Sequence, residues 1–157
     1  MNPETRVREA HSDEAGLVLD ILLCAFSEYK GRLDPPSGVH SETTASIRDR
    51  LKAGGALVCE IGGTAVGCVF YAPKADHLYV GRLAVVPEHR RRGIGDMLLR
   101  ASERRAGELG FARVRIGVRS ALEKLRAYYE ARGYAPIAFR SHPGYAEATY
   151  VEMEKAL

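Results

Sequence analysis

The chain has little cysteine, no long apolar run, no repeat and little net charge, and each shortage removes a class of explanation. Cys24, Cys59 and Cys68 are an odd number with no Cys-x-x-Cys spacing, which disfavours a disulfide framework and a zinc knuckle, so no metal is expected. Cys59 and Cys68 lie in apolar stretches and read as small buried hydrophobes in a reducing compartment. The most apolar segment, Leu17 to Phe26, is broken by Asp20 and falls well below the roughly 20 residues that a membrane helix needs. Met1-Asn2-Pro3-Glu4 lacks the charged-then-apolar pattern of a secretory leader, so the sequence reads as soluble and cytoplasmic, with no membrane partner. No low-complexity tract or Pro/Gly/Ser linker divides its 157 residues, and the expectation is one domain over 1–157.

The net charge of +3 is too small to announce a nucleic-acid binder, but its distribution is uneven. Arg82 to Arg119 holds ten arginines, no lysine and four acidic residues, a net of +6; the remainder has 13 basic and 16 acidic residues, a net of −3. The basic stretch lacks aromatic interleaving, Phe111 being its one aromatic, and has no recognisable reading helix, so no nucleic-acid partner is expected.

Val18, Ile21, Leu22, Ala25 and Tyr29 recur at helical spacing behind a Ser12 or Asp13 cap. Gly31 to His40, with Asp34-Pro35-Pro36-Ser37-Gly38, reads as a turn or mobile loop, after which Ser41 would cap a weaker helix through Ile47 and Leu51. Ala56–Ile61 and Ala65–Tyr71 form a predicted hairpin around Gly62-Gly63-Thr64. Leu78 to Val86 reads as a strand closed by Pro87, and Ile94 to Leu109 as a helix stopped by Gly110. A strand at Arg113–Val118 and a helix marked by Leu122, Leu125, Tyr128 and Tyr129 follow, then strands around Ile137–Phe139 and Thr149–Met153. The predicted order is β-α-α-β-β-β-α-β-α-β-β, an α/β domain with a mixed sheet, antiparallel early and partly parallel later.

The chemistry concentrates between Leu83 and Leu99. A strand ends at a proline, the chain turns, and a helix starts at Gly93 or Ile94. The first N–H groups of a helix lack internal partners and its dipole favours an anion there. Gly93 and Gly95 permit close approach and positive φ, and Arg90, Arg91 and Arg92 add charge and paired donors. This pattern describes a diphosphate cradle. A Walker loop would need Gly-Lys-Ser/Thr, which is absent, and a dinucleotide fingerprint would need a third glycine where Leu98 stands.

Arg90-x-x-Gly93-x-Gly95 after Leu83-Ala84-Val85 resembles the acetyl-CoA signature of the GNAT N-acetyltransferase superfamily. Leu125-Arg126-Ala127-Tyr128-Tyr129-Glu130-Ala131-Arg132-Gly133-Tyr134 resembles that family's downstream Tyr-Glu-x-x-Gly-Phe segment. The resemblance implies the acyl-CoA N-acyltransferase fold: a single-layer mixed, largely antiparallel sheet flanked by helices on both faces, with a splayed parallel strand pair. It implies acetyl-CoA as cosubstrate, held by Leu83, Ala84, Val85, Arg90, Arg91, Arg92, Gly93, Ile94 and Gly95, and transfer of acetyl to a primary amine. Tyr129 would be the general acid at the departing sulfur, with an oxyanion donor in the backbone N–H near Val85; Tyr128 reads as a packing residue.

The general base is open. The strand Leu78-Tyr79-Val80-Gly81-Arg82 carries no glutamate, which leaves Glu28, His77, Tyr79 and His142 as candidates, Glu28 or His77 foremost, with proton loss through ordered water equally open. Glu28, Tyr29, Tyr79, His142 and Tyr145 are candidate acceptor contacts. Leu122 stands where relatives often have an asparagine that touches the cofactor. Arg113, Arg115 and Arg119 alternate on one strand face, either meeting the cofactor's 3′-phosphate or facing solvent. Dimerisation rests on the resemblance alone. The missing carboxylate keeps a second reading alive, a non-catalytic acyl-CoA-binding sensor or partner domain.

Overall fold

The computed structural model describes residues 4–157, so the leader reading of Met1–Asn2–Pro3 lies outside the described residues. Seven strands and four helices follow the predicted order: β1 (Thr5–Glu9), α1 (Ala15–Phe26), α2 (Thr44–Ala53), β2 (Gly55–Ile61), β3 (Thr64–Pro73), β4 (Leu78–Val85), α3 (Ile94–Glu108), β5 (Arg113–Arg119), α4 (Glu123–Glu130), β6 (Ala135–Arg140) and β7 (Tyr150–Ala156). They make one sheet of order β1-β2-β3-β4-β5-β7-β6. Every neighbouring pair is antiparallel except β4 with β5.

Two apolar layers hold the helices on opposite faces. Val18, Leu22 and Ile47 of α1 and α2 pack with Val58, Cys68 and Phe70 on one face. Leu98 and Leu99 of α3 and Tyr129 of α4 pack with Val69, Val80, Ile116 and Met153 on the other. Fully burying a side chain such as Leu22 or Leu98 contributes about 1.5–3 kcal/mol. No described helix is long and apolar enough to cross a membrane, and no described group of three His, Cys, Asp or Glu gathers as metal ligands.

Local chemistry moved several boundaries. α1 is preceded by a 3-10 turn at Ser12–Glu14, whose entry is boxed by His11 and Glu14, rather than capped by Ser12 or Asp13. It ends at Phe26, and Tyr29 stands in a separate 3-10 turn. Ser41 ends a third 3-10 turn, while Thr43 caps α2 by accepting from the Ser46 N–H at 3.1 Å. A two-residue loop, Gly62-Gly63, joins β2 and β3 with φ of 57° and 83°, as a tight hairpin of this length requires.

The feature that builds the site is a bulge in β4. Two steps along β3, Cys68 to Phe70, oppose three steps along β4, Ala84 to Gly81. Arg82 absorbs the extra residue with φ of 53°. An inserted residue reverses which face each side chain meets. Leu78 and Val80 therefore join the α3/α4 layer, while Ala84 joins the α1/α2 layer. β4 pairs with β5 only through Leu78 with Val114 and Tyr79 with Arg115. Beyond Tyr79 the two strands part, and the β4 edge toward β5 has no strand partner.

Candidate functional site

The gap between β4 and β5 opens into two cavities. The first, about 560 Å³, is lined by Leu83, Ala84, Val85, Arg90, Arg91, Gly93, Ile94 and Gly95, with Ala25, Phe26, Glu28 and Tyr29 from the α1 side. Nine residues were expected at a cofactor on sequence grounds, and eight of them converge here. Arg92 does not line the cavity; it points to His89, 3.3 Å away. The second cavity, about 540 Å³, contains Tyr79, Leu122 and Tyr129, and shares Phe26, Tyr29, Leu83 and Leu125 with the first.

The turn before α3 has the conformation of an anion cradle. Arg91 and Gly93 are left-handed, with φ of 64° and 77°. Gly93 is the N-cap and supplies no side-chain cap, so the first helical bond runs from Met97 N–H to the Gly93 carbonyl at 3.0 Å. The N–H groups of Ile94, Gly95 and Asp96 precede that bond and face the cavity end without intrahelical partners. A Cβ on Gly95 would come 3.3 Å from the Tyr128 hydroxyl, so glycine there makes room for that side chain. A pyrophosphate fits this donor set.

Arg90 fastens the turn. Its Nε donates to the Val85 carbonyl at 3.1 Å, its Nη2 donates to the Ala25 carbonyl at 2.9 Å, and its Nη1 donates to Glu28. Glu28 is thereby an ion-pair partner on the first cavity. His77, the other foremost base candidate, sits in the β3–β4 turn against Asp76 at 2.7 Å and lines neither cavity.

Tyr129 is 7% exposed and stacks edge-to-face between Tyr128 and Tyr134. Burial, with the neighbouring Tyr128, pushes its hydroxyl well above the usual tyrosine range, and no described residue hydrogen-bonds it. It therefore stays protonated at neutral pH. Tyr128 does more than pack. Its hydroxyl donates to Asp96 at 2.5 Å, Arg132 donates to Asp96 at 2.8 Å, and the Arg132 guanidinium lies 3.5 Å from the Tyr128 ring centre. Arg132 and Tyr128 together hold the Asp96 carboxyl below its ordinary range. This trio lines the cradle and was missed in the sequence, where an acid in a helix's first turn and an arginine 36 residues away carry no joint signal.

Tyr79 lies across the open sheet face, and a Cβ on either Gly81 or Gly117 would meet its ring or hydroxyl at 3.1 Å. His142 lines a third cavity with Tyr79, Arg82 and Arg119. Its backbone N–H donates to Thr149 Oγ1 at 2.9 Å. Burial, helped by Arg119, lowers its pKa. Tyr145 lines none of the three cavities and donates to Asp34. Arg119 donates to the Pro35 carbonyl, so the α1–α2 and β6–β7 loops meet above this face. Arg115 pairs with Glu154 at 2.7 Å, with Arg113 at 3.9 Å from the same carboxylate; neither lines the cradle. Cys59 and Cys68 are fully buried and Cys24 is exposed.

A seven-stranded sheet split at one parallel pair, with an uncapped helix start at the mouth of the split, defines an acyl-CoA-type transferase fold. The chain belongs to the Acetyltransferase (GNAT) family, whose model matches residues 18–134. No curated protein matches the sequence. Solved structures share the fold at low identity. The PaiA N-acetyltransferase of Thermoplasma acidophilum in complex with coenzyme A superposes with a TM-score of 0.79 at 16% identity, covering 98% of this chain and 99% of that one. A GNAT family acetyltransferase of Elizabethkingia anophelis with acetyl-CoA bound gives 0.73 at 18% identity, covering 98% of both chains. The ribosomal-protein-S18-alanine N-acetyltransferase of Escherichia coli gives 0.78 at 15% identity, covering 98% of this chain and 94% of that one.

Proposed function

We propose that residues 1–157 form one acetyl-CoA-dependent N-acetyltransferase domain that transfers acetyl directly from the thioester to a primary amine. The observation that carries this reading is that the uncapped α3 start and the buried Tyr129 line two adjoining cavities at the β4–β5 split, which share Phe26, Tyr29, Leu83 and Leu125. Acetyl-CoA is the cosubstrate and supplies the activated acyl group. The N–H groups at Ile94 to Asp96 hold its pyrophosphate, and the free edge of β4 at Leu83 to Val85 is available to its pantetheine arm.

The amine nitrogen attacks the thioester carbon, and a backbone N–H near Val85 receives the charge that develops on oxygen. As the carbon–sulfur bond breaks, Tyr129 gives its proton to the departing sulfur and recovers one from solvent. The amine's own proton leaves to water. Glu28 is held by Arg90, and no Asp or Glu lines the cavity beside Tyr129, so no carboxylate base is assigned.

That same absence of a carboxylate supports the second reading, an acyl-CoA-binding sensor without turnover. Thiol release from acetyl-CoA across an amine panel separates the two. Release above the hydrolysis background supports the transferase, and acetyl-CoA binding without release for any amine supports the sensor.

A further inference from the structure

The cavity beside Tyr129 carries charge of one sign. Apart from tyrosines, its ionisable lining is Arg50, Lys74, Arg82 and Arg119. A pocket that selected a polyamine or a lysine ammonium by charge would be acidic. The carboxylates nearby are already engaged. Glu42 stands behind the wall with 7% of its side chain exposed, 2.9 Å from Arg50 and 2.7 Å from Arg82. Burial works against its ionisation, and the Ser46 hydroxyl and Arg82 outweigh that, holding its carboxyl below the usual range. Glu152, in the adjoining cavity, is held by Arg140 at 2.8 Å.

Arg119 differs from the other arginines of this wall. Arg82 is committed to Glu42, its Nη1 lying 2.7 Å from that carboxylate. Among the described residues Arg119 makes no salt bridge, Asp34 acting on it only through its field; it donates once, to the Pro35 carbonyl, and lines both the Tyr129 cavity and its neighbour. A guanidinium offers five donors in a fork that matches a carboxylate. Phe26, Leu33, Phe70 and Leu122 give the same wall an apolar part.

We infer that the acceptor is a primary amine carrying a carboxylate and an apolar side chain, as an α-amino acid does, with Arg119 receiving the carboxylate. This assignment rests on the acetyltransferase reading of the same site. Anchoring the acid at Arg119 leaves the amine for the Tyr129 end of the cavity. A phosphonate would offer related charge, so the test includes one.

The experiment titrates matched pairs into the CoA-saturated 157-residue chain by calorimetry and follows thiol release from acetyl-CoA with the same compounds. The pairs are phenylalanine with phenethylamine and leucine with isoamylamine; spermidine and the phosphonate analogue of phenylalanine complete the panel. The amino acids are expected to bind and react at least about ten-fold better than their decarboxylated partners, the size of a lost charge-assisted hydrogen bond. Spermidine is expected to do neither, and the phosphonate to bind more weakly than phenylalanine. Arg119→Gln should erase the preference by raising KM about ten-fold with kcat little changed, and Arg119→Lys should restore part of it. Lys74→Gln, an exposed change that leaves the fold intact, should raise KM for the amino acids only.

Equal or better use of the decarboxylated amines or spermidine would overturn the assignment. So would tighter binding of the phosphonate, a preference that survives Arg119→Gln, or failure of every compound to bind. Titration of acetyl-CoA into the free protein reports separately on the underlying reading. Loss of that binding sinks the transferase, whereas acetyl-CoA binding with the wrong amine preference sinks only the acceptor class.

Discussion

The Nε of Arg90 donates to the carbonyl of Val85 at 3.1 Å, joining the turn before α3 to the end of the splayed strand. With Ala25 and Glu28 taking its other nitrogens, Arg90 ties three walls of one cavity together. Its guanidinium is used inside the protein, so its contribution to an anion site is to fix the turn that presents the α3 N–H groups.

Arg90→Lys should therefore fail to replace it, because an ammonium is a point charge without the planar fork. The ion pair to Glu28 is half exposed and contributes little alone. The loss of the two carbonyl bonds should cost about 1–2 kcal/mol, a fall of roughly 2–8 °C in Tm. Affinity for acetyl-CoA should fall about ten-fold, the effect of a loosened cradle. Thermal melts and titration calorimetry check both, and a lysine variant indistinguishable from the parent would contradict the tethering role.

Tyr129→Phe removes a hydroxyl that no described residue engages, so Tm should stay nearly unchanged. Acetyl-CoA affinity should also hold. Turnover should drop about 10²-fold, mostly in kcat, as loss of a general acid predicts. A parallel loss of binding would make Tyr129 a structural residue instead.

Only the neutral amine attacks, and no carboxylate lines the cavity beside Tyr129. The rate at subsaturating acceptor should rise with pH, approaching a plateau near the pKa of the amine itself. The raised hydroxyl of Tyr129 remains a donor throughout that range. Glu28→Gln should keep the shape of the profile, while altering stability through Arg90. An acidic limb present in the parent's profile and absent from the variant's would assign Glu28 as the base.

Acid stability should depend on Glu14. Arg8 donates to both of its oxygens, at 2.8 and 2.7 Å, and this pairing pulls its pKa down to about 2 against the cost of burial. A depressed folded-state pKa gives stability that is present above the unfolded value near 4.5 and is lost as pH falls toward 2. Denaturant midpoints between pH 6 and pH 2 should fall less steeply in Glu14→Gln than in the parent. Identical slopes would remove Glu14 from the account.

The parts of the fold readable in the sequence are those written in local chemistry. Gly62-Gly63, Pro87, Gly110 and Gly133 break the chain where the elements break, and the apolar periods of α1 and α3 identify their buried faces. The turn before α3 was readable because a strand, two glycines and three arginines lie close together in the sequence. What escaped depends on tertiary pairing. The bulge at Arg82 exists only in the register between β3 and β4. Asp96, Tyr128 and Arg132 meet only because α4 packs beside the start of α3. His77 looked available as a base until the β3–β4 turn placed it outside both cavities, and Arg92 differs from Arg91 only in which way the turn points it.

Calorimetric titration of acetyl-CoA into the purified chain tests the central claim most directly. The account predicts saturable binding at one site per chain, with Kd on the order of tens of micromolar or tighter. An absence of binding heat and of competition at that concentration, in a protein with a cooperative melt, would contradict it.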